Sequence, residues 1–116
     1  MDLSNLTLTE ISTKLTSKEI KSREITESYF DKIEKKDSEI IAFITKTFDI
    51  AREMADSSDS RRQNGEPLSS LDGIPISLKD IISTKDIRTT ASSKILEHYI
   101  PPFDATVWSR LKMAGC

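Results

Sequence analysis

The sequence is poor in the residues that build metal sites and disulfides: it holds one cysteine, Cys116, and one histidine, His98. A lone thiol excludes an internal disulfide framework and a cysteine-based metal site. A zinc site would have to rest on carboxylates, against the usual donor preference of that ion. No apolar run approaches the roughly 18–20 residues that a membrane span requires. A surplus of positive charge is also missing. Lys and Arg number 17 against 19 Asp and Glu, for a net charge of -2, so no overall positive field draws the chain to nucleic acid or anionic lipid. Met1-Asp2 is followed by polar residues, without the basic and apolar regions of a signal peptide. The expectation is a cytoplasmic protein that does not engage a membrane. What is present fits an ordinary folded chain: 116 residues, 36% hydrophobic and 31% charged, enough for one domain with a modest core.

The first two-thirds has helical periodicity. Thr7 to Glu10 reads T-x-x-E, a capping-box pattern, ahead of Ile11 and Leu15 at i, i+4 spacing. A second helix is expected from near Ser22, with Ile25, Tyr29 and Ile33 at four-residue steps, Phe30 beside them, and Lys32, Lys35 and Lys36 toward its end. The stretch 39–48 reads as a short strand or a tight helix–helix connection. A third helix is expected from about Asp49 to Gln63, with Ile50, Ala51, Met54 and Ala55 inward, stopped by Asn64-Gly65. The character then changes. Residues 66–75 contain two prolines and a glycine and read as a loop. "IPISLKDII" (74–82) has the apolar, β-branched composition of a strand. Residues 83–93 read as a hydroxyl-rich loop, and 93–100 as a short helix stopped by Pro101-Pro102. Asp104 looks like the N-cap of a last helix carrying Val107, Trp108 and Leu111, with Gly115 at its C′ position. A lone strand would leave two rows of main-chain groups unpaired. The expectation is therefore the N-terminal part of a longer α/β protein.

Lys79 ends the apolar run and is the residue that raises a chemical question. Lysine at a strand end is commonly solvated or snorkels to the surface. The alternative is a buried, neutral amine acting as a base, since burial disfavours the ammonium. Such a lysine activates serine in the Ser-Lys variants of the hydrolase triad. Spacing alone leaves both open.

"LDGIPISLKDIISTKDIRTTASSKIL" resembles the N-terminal segment of the amidase signature family. Gly73, Ile74, Pro75, Lys79 and Asp80 match its Gly-Ile-Pro-x-x-x-Lys-Asp stretch; Thr89, Thr90, Ser93, Lys94, Ile95 and Leu96 match a following Thr-Thr-x-x-Ser-Lys-Ile-Leu segment; and 101–115 matches a stretch that runs into a helix. The resemblance implies an α/β fold: an N-terminal helical region over 1–65, then over 66–116 the first strand and helices of a mixed-sheet core, incomplete here. Within the family the chain is most similar to the glutaminase subunit of tRNA-dependent amidotransferases. That likeness implies hydrolysis of glutamine, with ammonia passed on for amidation of Glu-tRNA(Gln) or Asp-tRNA(Asn). It implies subunits B and C as partners, tRNA engaged through the partner subunit, ATP and Mg used by that partner, and no cofactor in this chain. Lys79 would be the lysine of a Ser–cis-Ser–Lys triad, taking a proton from the serine nucleophile through a bridging serine.

The chain departs from the family pattern in one decisive respect. Its only glycines are at 65, 73 and 115, so the Gly-Gly-Ser-Ser-Gly run with the bridging serine is absent, as is the later nucleophile. These 116 residues alone are expected to be inactive. Ile81 also stands where the family commonly has Asn. Two other readings stay open: the N-terminal part of a stand-alone amidase, and a non-catalytic helical interaction module. Among the remaining candidates, Ser92 and Ser93 read as loop hydroxyls with a local cap, His98 as a surface residue, Trp108 as core, Cys116 as unreactive, and Arg61-Arg62 as a helix-end pair.

Overall fold

A computed structural model of the chain describes residues 2–116. Among these residues four α-helices form: α1 (Leu8–Thr16), α2 (Ser22–Ile40), α3 (Phe48–Gln63) and α4 (Thr106–Ala114), with single 3-10 turns at Leu3–Asn5 and Lys94–Leu96. By contacts the chain divides into two compact units. The first runs to Pro75 and takes back Ala114–Cys116; the second is Ile76–Met113.

In the first unit the helix starts follow from local chemistry. The Thr7 hydroxyl accepts from the Glu10 amide, and the Glu10 carboxylate accepts from the Thr7 amide at 2.8 Å, the reciprocal capping box that the T-x-x-E pattern predicts. Helix α2 has no capping side chain of its own at Lys21. Instead Asp59 of α3 reaches across, and its carboxylate accepts from the Ser22 and Arg23 amides at 2.7 and 3.1 Å. That places a negative charge at the positive end of α2. The helix runs past the three lysines to Ile40. There Ile41 turns left-handed and the buried Asp37 carboxylate collects the Ala42 amide and the Lys46 ammonium. Residues 41–47 are thus a connection. Of the side chains expected inward on α3, Ala55 is buried, Ala51 and Met54 are half-buried, and Ile50 is exposed. Helix α3 ends at Asn64, followed by Gly65 at φ +77°.

The core of this unit is Ile11, Leu15, Ile25 and Ile74, each at most 4% exposed, with Leu3, Leu6, Ile20, Tyr29 and Leu71 against it. Burying an aliphatic side chain of this size contributes about 2 kcal/mol, so α1, α2 and the 71–74 turn are held mainly by these contacts. Helices α2 and α3 pack together, and Phe30 stacks on Phe48 at 4.2 Å between ring centres. Arg52 lies over the Phe30 ring and makes two bonds to Glu27, at 2.8 and 2.9 Å.

That pairing has a measurable consequence. The bonds from Arg52 outweigh the opposing effect of burial, and with Arg23 adding to them the Glu27 carboxyl is held at about 2, down from an ordinary 4.5. A carboxyl depressed by folding stabilises the fold fully above its unfolded value and loses that contribution as pH falls through the folded one. Comparing urea denaturation of the wild type and Glu27→Gln from pH 6 to pH 2 is therefore expected to show the two curves converging across about pH 4.5 to 2. Parallel curves would show that the pair contributes nothing.

The strand expected over 74–82 does not form; among the described residues there is no β-ladder. Residues 76–79 are irregular, and no main-chain amide from Ile76 to Ile81 donates to another main-chain group. A strand is defined by its neighbour, and no segment of the described residues lies alongside. The mixed sheet is accordingly not seen here. The helix expected over 93–100 is likewise reduced to one 3-10 turn. In the second unit, segments 83–89 and 97–105 are stapled by isolated main-chain bonds: Thr89 amide to Tyr99 carbonyl at 3.0 Å, Asp86 amide to Pro101 carbonyl at 3.1 Å, and Ala105 amide to Ser83 carbonyl at 2.8 Å.

Candidate functional site

Lys79 lies in the second unit, where an irregular segment enters a tight turn closed by the Ile82 amide donating to the Lys79 carbonyl at 3.0 Å. Its side chain is exposed within these 116 residues. Ile81, at the crest of the same turn, is exposed as well.

Asp80 organises the surroundings. Its carboxylate accepts from the Thr90 amide at 2.8 Å, from the Thr90 hydroxyl, and more distantly from the Ser92 amide. Its carbonyl accepts from the Ala91 amide at 2.7 Å. Burial acts to raise the carboxyl, but the donors from Thr90 and Ser92 and the nearby Arg88 outweigh it, and the group sits below the usual carboxylate range. Thr90 is 3% exposed, so the 79–82 turn and the 90–92 loop share one polar centre. The one sequence signal for this centre is a Lys-Asp pair followed ten residues on by a Thr-Thr-x-Ser stretch, and spacing does not reveal that the two stretches meet.

The other candidates separate. Ser92 is exposed and its amide donates to the Thr90 hydroxyl at 3.1 Å. Ser93 precedes the Lys94–Leu96 turn without a capping bond from its hydroxyl. His98 is exposed and Trp108 is buried on α4. Asp104 does not cap α4, which starts at Thr106. Its carboxylate instead accepts from the Lys85 amide at 2.7 Å and pairs with Lys112 at 2.5 Å.

Arg61 and Arg62 do more than end a helix. Arg61 grips the Asp72 carboxylate through Nε at 2.9 Å and a second nitrogen at 2.6 Å, while Arg62 donates twice to the Asp72 carbonyl. Asp72 is fully buried. Burial pushes its carboxyl upward, and the Arg61 guanidinium and Leu68 amide more than offset that, so it lies below the ordinary value. The Cys116 thiol is pushed up by burial and by the Asp72 charge, which opposes thiolate reactivity. Among the described residues no group of three or more His, Cys, Asp or Glu is arranged to hold a metal ion, and no helix is long and apolar enough to cross a membrane.

The sequence pattern of the Amidase family matches residues 24–116, four-fifths of the chain, and the chain belongs to that family. Among curated relatives, the glutamyl-tRNA(Gln) amidotransferase A subunit of Carboxydothermus hydrogenoformans is 45% identical over 115 residues, covering 99% of this chain and 24% of the relative. The protein of the same name from Geotalea daltonii is 47% identical over the same coverage. A solved structure described as "An unexpected vestigial protein complex reveals the evolutionary origins of an s-triazine catabolic enzyme" superposes with a TM-score of 0.89 at 33% identity, over 95% of this chain and 24% of that one. The chain thus spans about a quarter of the length of the relatives it matches.

Proposed function

We propose that these residues are the N-terminal part of the glutaminase subunit of a tRNA-dependent amidotransferase. The observation that carries this reading is 45% and 47% identity, over 99% of the chain, to proteins named as the A subunit of glutamyl-tRNA(Gln) amidotransferase. The complete protein would hydrolyse glutamine and pass ammonia on for amidation of Glu-tRNA(Gln) or Asp-tRNA(Asn). It would work in the cytoplasm with subunits B and C, with tRNA, ATP and Mg handled by the partner. Residues 1–65 form its N-terminal helical region and 66–116 the start of its α/β core. Lys79 is the base of the triad, accepting the nucleophile's proton through a bridging serine that lies outside these residues, as does the nucleophile. Main-chain amides at 76–81 without a main-chain acceptor and exposed Ile81, Ile95, Ile100, Phe103 and Met113 support the view that more chain covers this unit.

The match to the Amidase family as a whole carries a second reading, a stand-alone amidase of the same family. Co-expression of the full-length protein with candidate subunits B and C separates the two. The amidotransferase reading expects co-purification and glutamine hydrolysis that depends on the partners. Hydrolysis of small amides by a protein that binds neither of them would establish the second. The interaction-module reading requires the 116-residue chain to unfold as one cooperative domain, and a broad urea transition with exposed apolar surface counts against it.

A further inference from the structure

The Asp80 centre carries an inference beyond the identity of the lysine, though it rests on the reading of Lys79 as the base. Three donors converge on one carboxylate: the Thr90 amide, the Thr90 hydroxyl and the Ser92 amide. The main chain of Asp80 is tied to the same loop by the Ala91 amide. Ala91 and Ser92 are consecutive non-glycine residues at φ +50° and +56°. Side-chain-bearing residues stay in that region only where their surroundings over-determine it. Here the surroundings include a charged acceptor, which binds amide and hydroxyl donors more strongly than a neutral one.

We propose that Asp80 is a positioning residue for Lys79: by gathering the 90–92 loop it fixes the 79–82 turn from which the lysine projects. Without the carboxylate, the Thr90 amide and hydroxyl lose their acceptor, and the Ser92 amide keeps only the Thr90 hydroxyl. The turn is then left with its single Ile82-to-Lys79 main-chain bond and the Ala91-to-Asp80 bond. A proton relay works only within hydrogen-bond reach of its partner, and a misplacement of about 1 Å costs about 10²-fold in rate.

The test uses the full-length protein with its partner subunits and glutamine as substrate. Variants are Asp80→Asn, Asp80→Glu, Thr90→Val, Lys79→Ala, the double variant Asp80→Asn/Lys79→Ala, and Asp104→Asn as a control. Asp104→Asn removes the carboxylate charge that the Lys85 amide and the Lys112 ammonium contact in the same unit without touching the Asp80 centre. The expected result is a kcat for Asp80→Asn lower by about 10²-fold with KM within threefold, a smaller loss for Thr90→Val, and partial recovery in Asp80→Glu. The double variant should be no slower than Lys79→Ala alone. Should Asp80→Asn fail to fold, Thr90→Val carries the same kcat-against-KM comparison. The proposal is overturned if Asp80→Asn, or Thr90→Val in its place, behaves like Asp104→Asn, or if the Asp80 loss multiplies onto the Lys79→Ala background. An active Lys79→Ala protein, by contrast, removes the reading of the lysine as base.

Discussion

Replacing Lys79 by alanine in the full-length protein is expected to lower kcat for glutamine hydrolysis by at least about 10³-fold while leaving KM within a few-fold, because members of a catalytic unit act together. Lys79→Arg should be nearly as inactive. Arginine keeps the positive charge but does not give up its proton, so it cannot serve as a base. The pair of variants therefore separates a base from a charge that merely binds substrate: Arg would rescue the latter and not the former. Burial is what makes a lysine available as a base, and Lys79 is exposed within these 116 residues. The same assay run on the 116-residue chain alone should give no hydrolysis. Steady-state kinetics on purified wild type and both variants suffice, and a Lys79→Ala protein within tenfold of wild type would end the proposal.

The second large effect is on stability. Asp72→Ala is expected to destabilise the fold by about 3 kcal/mol, the lower end of the range for breaking a buried ion pair, because its partner Arg61 is only partly buried. The exposed pair Arg23–Asp56 at 2.7 Å provides the contrast: Asp56→Ala should cost less than about 1 kcal/mol. Asp72 matters more because its loss strands the Arg61 guanidinium, the Leu68 amide and the 68–73 turn together. The turn is also geometrically closed. Gly73, at φ +84°, donates its amide to the Gly115 carbonyl at 2.8 Å, and a Cβ there would fall 2.4 Å from the Ser58 hydroxyl. A Cβ on Gly115 would fall 2.4 Å from the Asp72 carboxylate. Urea unfolding of the two aspartate variants, followed by circular dichroism, compares them directly; equal losses would show that the buried centre is not what holds the 68–73 and 114–116 segments.

Much of the helical half is legible from short-range pattern. The Thr7–Glu10 box, the Ile11/Leu15 pair, the Ile25/Tyr29/Ile33 stripe with Phe30 beside it and the Asn64-Gly65 stop each act within one or two turns of chain; Ile11, Leu15, Ile25 and Phe30 are buried, and Tyr29 and Ile33 half-buried. Ile50 is exposed against expectation, because a four-residue periodicity does not say where the apolar stripe of α3 ends. The cap of α2 is not legible, since Asp59 lies thirty-seven residues from Ser22 and only packing of α3 on α2 brings them together.

The second half divides differently. The apolar composition of 74–82 names a strand, but extended backbone becomes a strand only when a neighbour completes its hydrogen bonds, and none does so among the described residues. Asp104 has the residue type of an N-cap, yet α4 starts two residues on at Thr106, and the two carboxylate oxygens are taken by the Lys85 amide and the Lys112 ammonium.

The sequence by itself therefore determined the four α-helices, the start of α1, the stop of α3, the family and the candidate lysine, because capping, periodicity and motif are written in residues close together along the chain. Tertiary structure alone decided that Arg61 and Arg62 clasp Asp72, that Asp59 caps α2, and that Asp80 joins the turn after Lys79 to the Thr90 loop. Each of these is a charged group meeting hydrogen-bond partners ten or more residues away, and only the folded path of the main chain brings such groups within hydrogen-bonding distance.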